Sequence, residues 1–326
     1  MKHLITGVAG FVGSNLARRL LNEGHQVTGI DSMVCGFFEN IDDLTTHPSG
    51  FNFQKVDVRD WKGADESYDA VWHLAARGEL WFCRDNIEEA LDINVNGTIH
   101  MLKLAKKSFA KHFYFADTSA EYDSFVQDDA FPSEEWMAPN TITPMGYYAI
   151  TKMAASQFVR SFGRTNNLGT TLFRYTNIYG PSMNLERDIP PVVGAFTDRI
   201  LNGDSCVIYG DGTKRRDFLH IDDLTDLHIA ALNHRQDKTD SQTYNGGSGE
   251  NFSISQVWDC VYDACKDYRF LSSDSGKIDY KDDQPNEAQI TLANIEKVKK
   301  DLNWEPKISF DDGVKKTVKS LWKMRG

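Results

Sequence analysis

HLITGVAGFVG, residues 3–13, is a short apolar run that breaks into glycines at 7, 10 and 13 and leads into a helix-patterned stretch at 12–23. Strand, tight turn and helix N-terminus is the reading that fits both halves. Glycines let the backbone turn sharply and come close to a ligand, while the first turn of a helix offers unpaired N–H groups and a partial positive charge to a pyrophosphate. The spacing is G-x-x-G-x-x-G and not G-x-G-x-x-G, but the same physics serves both. The next strand, HQVTGID (25–31), ends in Asp31, 24 residues after Gly7. A carboxylate there can accept hydrogen bonds from an adenosine ribose and repels a 2′-phosphate, so the pattern favours NAD over NADP.

Outward from this unit, NFQKVDV (52–58), DAVWHLA (69–75), HFYFADT (112–118) and TTLFRYTNIY (170–179) read as further strands. Helical patterns at 86–109 and 147–166 separate the later ones. Such alternation predicts an α/β fold: a Rossmann-like, doubly wound parallel sheet. After about residue 180, prolines and glycine turns such as GDG (210–212) and NGGSG (245–249) shorten the segments. The expected organisation is an NAD-binding domain over 1–180, joined by about 215–240, and a smaller, interleaved α+β substrate-binding cap over 181–326. The helix-like DDLTDLHIAALNH (222–234) is expected to return to the sheet.

A net charge of −11 argues against a nucleic-acid surface, although local arginines can still bind a small anion. Hydrophobic residues at 40% and charged residues at 25% are ordinary for a soluble enzyme. Five scattered cysteines without a histidine cluster predict reduced thiols and no metal site. No apolar run approaches membrane-spanning length, and MKHLITGVAG enters its strand at once, so the expectation is a cytoplasmic protein without signal peptide or membrane partner.

GYYAITK (146–152) places Tyr148 and Lys152 four apart on one helix face, whereas Tyr147 points about a quarter-turn away. A free phenol, with a pKa of about 10, is a poor base at neutral pH. An ammonium ~4 Å away in an effective dielectric of ~20 supplies roughly 4 kcal/mol, about three pKa units. Tyr148 beside Lys152 and a positive nicotinamide could therefore take a proton from an alcohol. Thr118 and Ser119 supply hydroxyls at a strand's carboxyl end, where such sheets bind ligands. His73 and His220 fall in apolar strings and read as structural.

Together these features resemble the extended short-chain dehydrogenase/reductase family, in its NAD-dependent nucleotide-sugar epimerase/dehydratase group. TGVAGFVGSNL, DSMVCGFFENI (31–41), VDVRD (56–60), HLAA (73–76), NVNGT (94–98), YYAITK, RYTNIYGP (174–181), IYGDGTKRRDFLHIDDL (208–224) and LNWEP (302–306) follow in family order. The resemblance implies cofactor contacts from Gly7, Gly10, Phe11, Val12 and Gly13 on the pyrophosphate. It places Asp31 and Ser32 by the ribose, Asp57 and Val58 by adenine, and Leu74, Ala75, Ala76, Asn94 and Thr176 along the rest. Tyr148, Lys152 and Thr118 would be catalytic, Thr118 being four residues before Tyr122 of the EYD string that replaces the usual V-Y-G. Ser119, Asn177, Val193 and Arg216 would meet a nucleotide-diphosphate sugar. The helices at 86–109 and 147–166 would pair with a second copy in a homodimer.

The implied reaction is 4-epimerisation through a transient 4-keto sugar, with Tyr148 as base and hydride passed to and from NAD. Related dehydratases carry Asp-Glu or Ser-Glu just after Thr118, because elimination needs an acid and a base; here Ser119-Ala120 lacks the carboxylate. Glu121, one place late, could reach the slot through a bulge, which keeps a 4,6-dehydratase as the alternative. An NADPH-dependent sugar reductase is disfavoured by Asp31, and a non-catalytic dinucleotide sensor by the intact Tyr148–Lys152 pair. The loop RGELWFCRD (77–85) is unusually aromatic and charged. Gln284 stands where the family often has a diphosphate-binding arginine, a contact that Lys214 or Arg215 could supply instead.

Overall fold

In the computed structural model, β1 (Lys2–Thr6) runs through the glycine turn into α1 (Phe11–Asn22) and on to β2 (Gln26–Asp31). The structure describes residues 1–63, 66–123, 132–137, 146–183, 185, 190–234, 241–268, 276–283 and 287–324. Gln284 and Pro285 fall outside these residues. The remaining strands are β3 (Phe51–Lys55), β4 (Ala70–His73), β5 (His112–Thr118), β6 (Gly169–Tyr175), β7 (Asn177–Tyr179), β8 (Cys206–Tyr209), β9 (Arg215–His220), β10 (Gln242–Gly246), β11 (Asn251–Ser253) and β12 (Ile278–Lys281). Among the described residues the main sheet has seven strands in the order β10-β6-β5-β4-β1-β2-β3, every pair parallel. That order reverses at β1 and β4, the doubly wound arrangement in which ligands bind beyond the strands' carboxyl ends. It bears out the parallel α/β sheet expected from the alternation.

Both sheet faces are covered, so the strands are apolar throughout and lack the alternation of a half-exposed sheet. On one face, α1 and α7 (Ile221–Asn233) bury Leu16, Leu20, Leu224 and Leu227 against Ile5, Trp72 and Phe173. On the other, α4 (Gly97–Lys107) and α5 (Tyr147–Asn166) bury Met101, Leu102, Ala155 and Val159 against Leu4, Val71, Phe113 and Phe115. At about 1.5–3 kcal/mol for each large apolar side chain removed from water, these two layers supply the main drive to form the sheet.

The predicted helix at 86–109 runs from Ile87 to Lys107, with one π turn inside it. Short α2 (Leu80–Asp85) and α3 (Ile87–Leu91) precede a π-helical turn at Asp92–Asn96 that feeds α4. The extra residue in that turn aims Asn94 inward, where its side chain clamps the backbone of Arg77 (2.8 and 3.0 Å).

A second apolar cluster lies away from the sheet. It joins Val193, Phe196 and Ile200 of α6 (Val192–Asn202) to Val257 and Val261 of α8 (Ile254–Lys266). After α9 (Glu296–Leu302), α10 (Phe310–Lys323) adds Val314 and Val318 to it. The smaller sheets β11-β9-β7 and β12-β8 sit with this cluster, so the chain crosses between the two lobes at 177, 221 and 251 and twice more around α9, whose Val298 and Leu302 pack with the main sheet before Phe310 rejoins the second cluster.

Candidate active site

The glycine turn owes its shape to contacts that leave no room for side chains. Gly7 has φ +70°, and a Cβ there would lie 2.9 Å from the Ala75 backbone. A Cβ on Gly13 would lie 2.2 Å from the Gly7 carbonyl oxygen. Gly10 caps α1 without a side-chain hydrogen bond, leaving its N–H groups for a ligand, and Phe11 and Val12 form the first helical residues. The cradle fits a dinucleotide pyrophosphate.

Asp31 closes β2 as expected. Its carboxylate accepts from the Ala9 N–H (3.0 Å) and the Met33 N–H (2.8 Å), and burial pushes its pKa up despite those bonds. It thus ties the glycine turn to the following loop, with Ser32 between the two bonded residues. Asp57 is held by Arg59 (2.8 Å between Oδ2 and Nη2), which lowers its pKa. Val58 is buried, Leu74 and Ala75 follow β4, and Ala76 follows these. His73 is structural: it bridges Thr6 (2.8 Å) and Thr98 (3.0 Å), and burial drives its pKa down to about 3.

Beyond the carboxyl ends of β5 and β6 opens a cavity of about 1230 Å³. It brings together Thr118, Tyr148, Thr176, Asn177, Val193 and Arg216 from the residues singled out by sequence. Ser119 is not on its wall, and neither are the glycine turn, Asp31, Asp57, Val58, Leu74–Ala76 or Asn94; the segment 33–37 lines the cavity on that side. There the Phe37 N–H donates to the Ala9 carbonyl (3.1 Å).

α5 starts at Tyr147, so Tyr148 sits in its first turn with its ring over Gly78, whose Cβ position is 3.9 Å from the phenol oxygen. One turn on, Lys152 is 2% exposed, with Nζ 4.0 Å from the Phe115 ring centre. Burial lowers its pKa to about 8, while Asp117 and Glu121 act to raise it. Lys152 is thus a cation at neutral pH in a site shielded from water, where its field is strongest. Thr118 lies at the end of β5, and its Oγ1 accepts from the Ala120 N–H (3.2 Å), starting a 3₁₀ turn at Ser119–Tyr122.

That turn overrides the bulge expectation for Glu121. Its side chain points away from the cavity and pairs with buried Arg174 (3.1 Å). Burial and the neighbouring Asp117 push its pKa well up. Of the acids just after Thr118, the one that lines the cavity is Asp123, which the sequence reading passed over. Burial raises its pKa to about 7, Arg216 opposing. Its signal was the EYD string itself, which puts an acid where the related string has glycine.

On the far wall, Asn177 donates to the Asp217 carbonyl (3.0 Å), and Thr176 bonds the Gly246 carbonyl (3.2 Å). Arg216 lies 3.5 Å from Glu287, which also holds Lys214 at 2.9 Å. Of the two substitutes considered for an arginine at 284, Lys214 lines the cavity, while Arg215 is bonded to Asn251 (2.5 Å). The 77–85 loop forms the opposite lip: Arg77 stacks on Phe82 (3.7 Å) and pairs with Glu79 (3.3 Å). Among the described residues no cluster suits a metal ion, and no helix is long and apolar enough to cross a membrane.

Known proteins resemble this chain along its length. A family model described as "NAD dependent epimerase/dehydratase family" matches residues 3–247. A UDP-glucuronate 4-epimerase of Thermodesulfobacterium geofontis is 31% identical, over 97% of this chain and 94% of its own. A UDP-glucose 4-epimerase of Mycolicibacterium smegmatis is 26% identical, over 98% and 97%. The crystal structure of a UDP-glucose 4-epimerase from Thermotoga maritima with UDP-glucose superposes with a TM-score of 0.87 at 26% identity, covering all of both chains.

Proposed function

Because this chain belongs to the NAD dependent epimerase/dehydratase family, we propose that it is an NAD-dependent nucleotide-sugar 4-epimerase acting on UDP-sugars, the substrate class its relatives' names give. One observation carries the assignment: Thr118 and Tyr148 face the same cavity, and the buried cation of Lys152 lies one helical turn behind the phenol.

The glycine turn and Asp31 would hold NAD, with Asp57, Val58, Leu74–Ala76 and Asn94 along the strand ends. When bound, NAD would supply the hydride acceptor and donor for the sugar carbon. The chain's own part is proton handling and orientation. Tyr148 takes the sugar 4-hydroxyl proton, its phenolate stabilised by Lys152, and Thr118 donates to the same sugar oxygen. Arg216 and Lys214 meet the diphosphate, with Asn177 and Val193 lining the nucleotide side. The anchored diphosphate leaves the 4-keto sugar free to rotate and accept hydride on its other face.

The test is incubation of the purified protein with UDP-glucose, UDP-galactose and UDP-glucuronate without added cofactor. Isomers of unchanged mass are expected, and Tyr148→Phe should abolish turnover while NAD stays bound. A second reading, 4,6-dehydration, is favoured by Asp123, which puts a carboxylate from the turn after Thr118 on the cavity wall; a product lighter by one water would establish it and overturn the first. The same family reading makes the protein a cytoplasmic homodimer. Exposed Leu91 on α3 and Ile150 and Phe158 on α5 support pairing through that face, and sedimentation of a monomer would refute it.

A further inference from the structure

The sugar site has a charge balance that neither the glycine turn nor the Tyr148–Lys152 pair requires. In a 3₁₀ turn, side chains three apart eclipse. The turn that Thr118 caps therefore puts Ala120 and Asp123 on one face, and both line the cavity that Thr118 and Tyr148 also line. Glu121, out of phase, is committed to Arg174. An acid is thus built into the wall five residues after Thr118, within the electrostatic reach of Arg216 and Glu287.

The cations nearby are spoken for. Lys214 and Arg216 share Glu287 at 2.9 and 3.5 Å. Across the cavity, Arg77 pairs with Glu79 at 3.3 Å and Arg84 with Asp85 at 2.7 Å. Among the described residues, each cation on the wall already has a carboxylate within ion-pair distance, and Asp123 adds one more negative charge. A diphosphate can compete with Glu287 for Lys214 and Arg216. Among the described residues, a third negative charge on the sugar would find no wall cation without a carboxylate partner, and it would share the cavity with Asp123.

We infer that Asp123 is a specificity-determining residue that restricts the sugar site to uncharged hexoses and disfavours uronic acids. The assignment rests on the epimerase reading above and narrows its substrate class. A neutral sugar offers hydroxyls that donate to the Asp123 carboxylate, a charge-assisted bond, where a uronate offers a like charge. Two carboxylates several ångströms apart at an effective dielectric of ~20 repel enough for about a tenfold or greater difference in kcat/KM. Arg216 on β9 and Glu287 beyond β12 are the charges acting on Asp123, and burial adds to Glu287 in favouring its protonated form. The discrimination should therefore strengthen as pH rises through neutrality.

The experiment measures kcat/KM for UDP-glucose and UDP-glucuronate on the holoprotein as purified, with Asp123→Asn and Asp123→Ser alongside. Wild type should favour UDP-glucose about tenfold or more, by a ratio that grows from mildly acidic to mildly alkaline pH. Either variant should cut that ratio about tenfold and remove its pH dependence. If both variants fail to fold, the wild-type ratio and its pH dependence decide alone. Equal use of the two sugars, a preference for the uronate, or variants that leave the ratio unchanged would overturn the role of Asp123 while leaving the epimerase reading intact. Turnover of neither sugar, or loss of water from either, would overturn the epimerase reading and this inference with it.

Discussion

Replacing Lys152 by methionine tests the electrostatic core of the proposed mechanism. Methionine keeps most of the side chain's volume, so it removes the charge while the packing beside Phe115 survives. Tyr148 and Lys152 stand one turn apart on α5, with the amine 2% exposed. At ~6 Å, the spacing of i and i+4 side chains, and an effective dielectric of ~20, the cation stabilises a phenolate by about 3 kcal/mol, or about two pKa units. Losing it should cut the phenolate fraction and kcat about 100-fold at neutral pH, with roughly tenfold recovered per pH unit as the solution is made alkaline. Wild type should level off about two pH units earlier. Burial brings Lys152 down to about 8, but a phenolate beside it raises it again by the same two units, so the charge of the active pair persists above that pH. The assay is the pH profile of kcat for both proteins, with circular dichroism to confirm the fold. A loss in Lys152→Met that is the same at every pH would refute the reasoning.

Gly13→Ala puts a methyl group 2.2 Å from the Gly7 carbonyl, so NAD retention should be lost and stability should drop by about 1–3 kcal/mol, measured by cofactor content and denaturant unfolding. Asp31→Asn keeps an acceptor for Ala9 or Met33 but drops the charge; NAD should bind about tenfold more weakly and NADP relatively better, and an unchanged ratio of dissociation constants would count against the ribose role. His73 and His228 are both held neutral by burial, at about 3. Their folded pKa values lie below the unfolded ~6.5, so this stability is complete above pH ~6.5 and is lost as pH falls toward 3, by up to ~1.4 kcal/mol per unit for each histidine. Urea unfolding across that range should show the slope, and His228→Gln should make it shallower.

Elements governed by near neighbours in the chain were legible before any tertiary structure. The expected strand at 112–118 and helix at 147–166 appear as His112–Thr118 and Tyr147–Asn166, and the glycine turn joins β1 to α1 as its spacing required. Periodicity and turn chemistry act over a few residues, so sequence alone determines them. The cavity brought Thr118 and Tyr148 together because both stand at carboxyl ends of a parallel sheet whose order the alternation implied. The helix expected at 86–109 runs from Ile87 to Lys107, but its π turn, which aims Asn94 inward to the Arg77 backbone, answers a contact no local pattern encodes. Glu121 and Asp123 exchanged places for a similar reason: a 3₁₀ turn changes which side chains share a face, and buried Arg174 from β6 claims the one that points inward. The pairing of Lys214 and Arg216 with Glu287 joins residues more than 70 positions apart. Sequence thus determined the scaffold, the cofactor turn and the tyrosine–lysine pair. Tertiary structure decided which charges face the substrate, because a side chain's electrostatic environment is made by whatever folds against it, however distant in the chain.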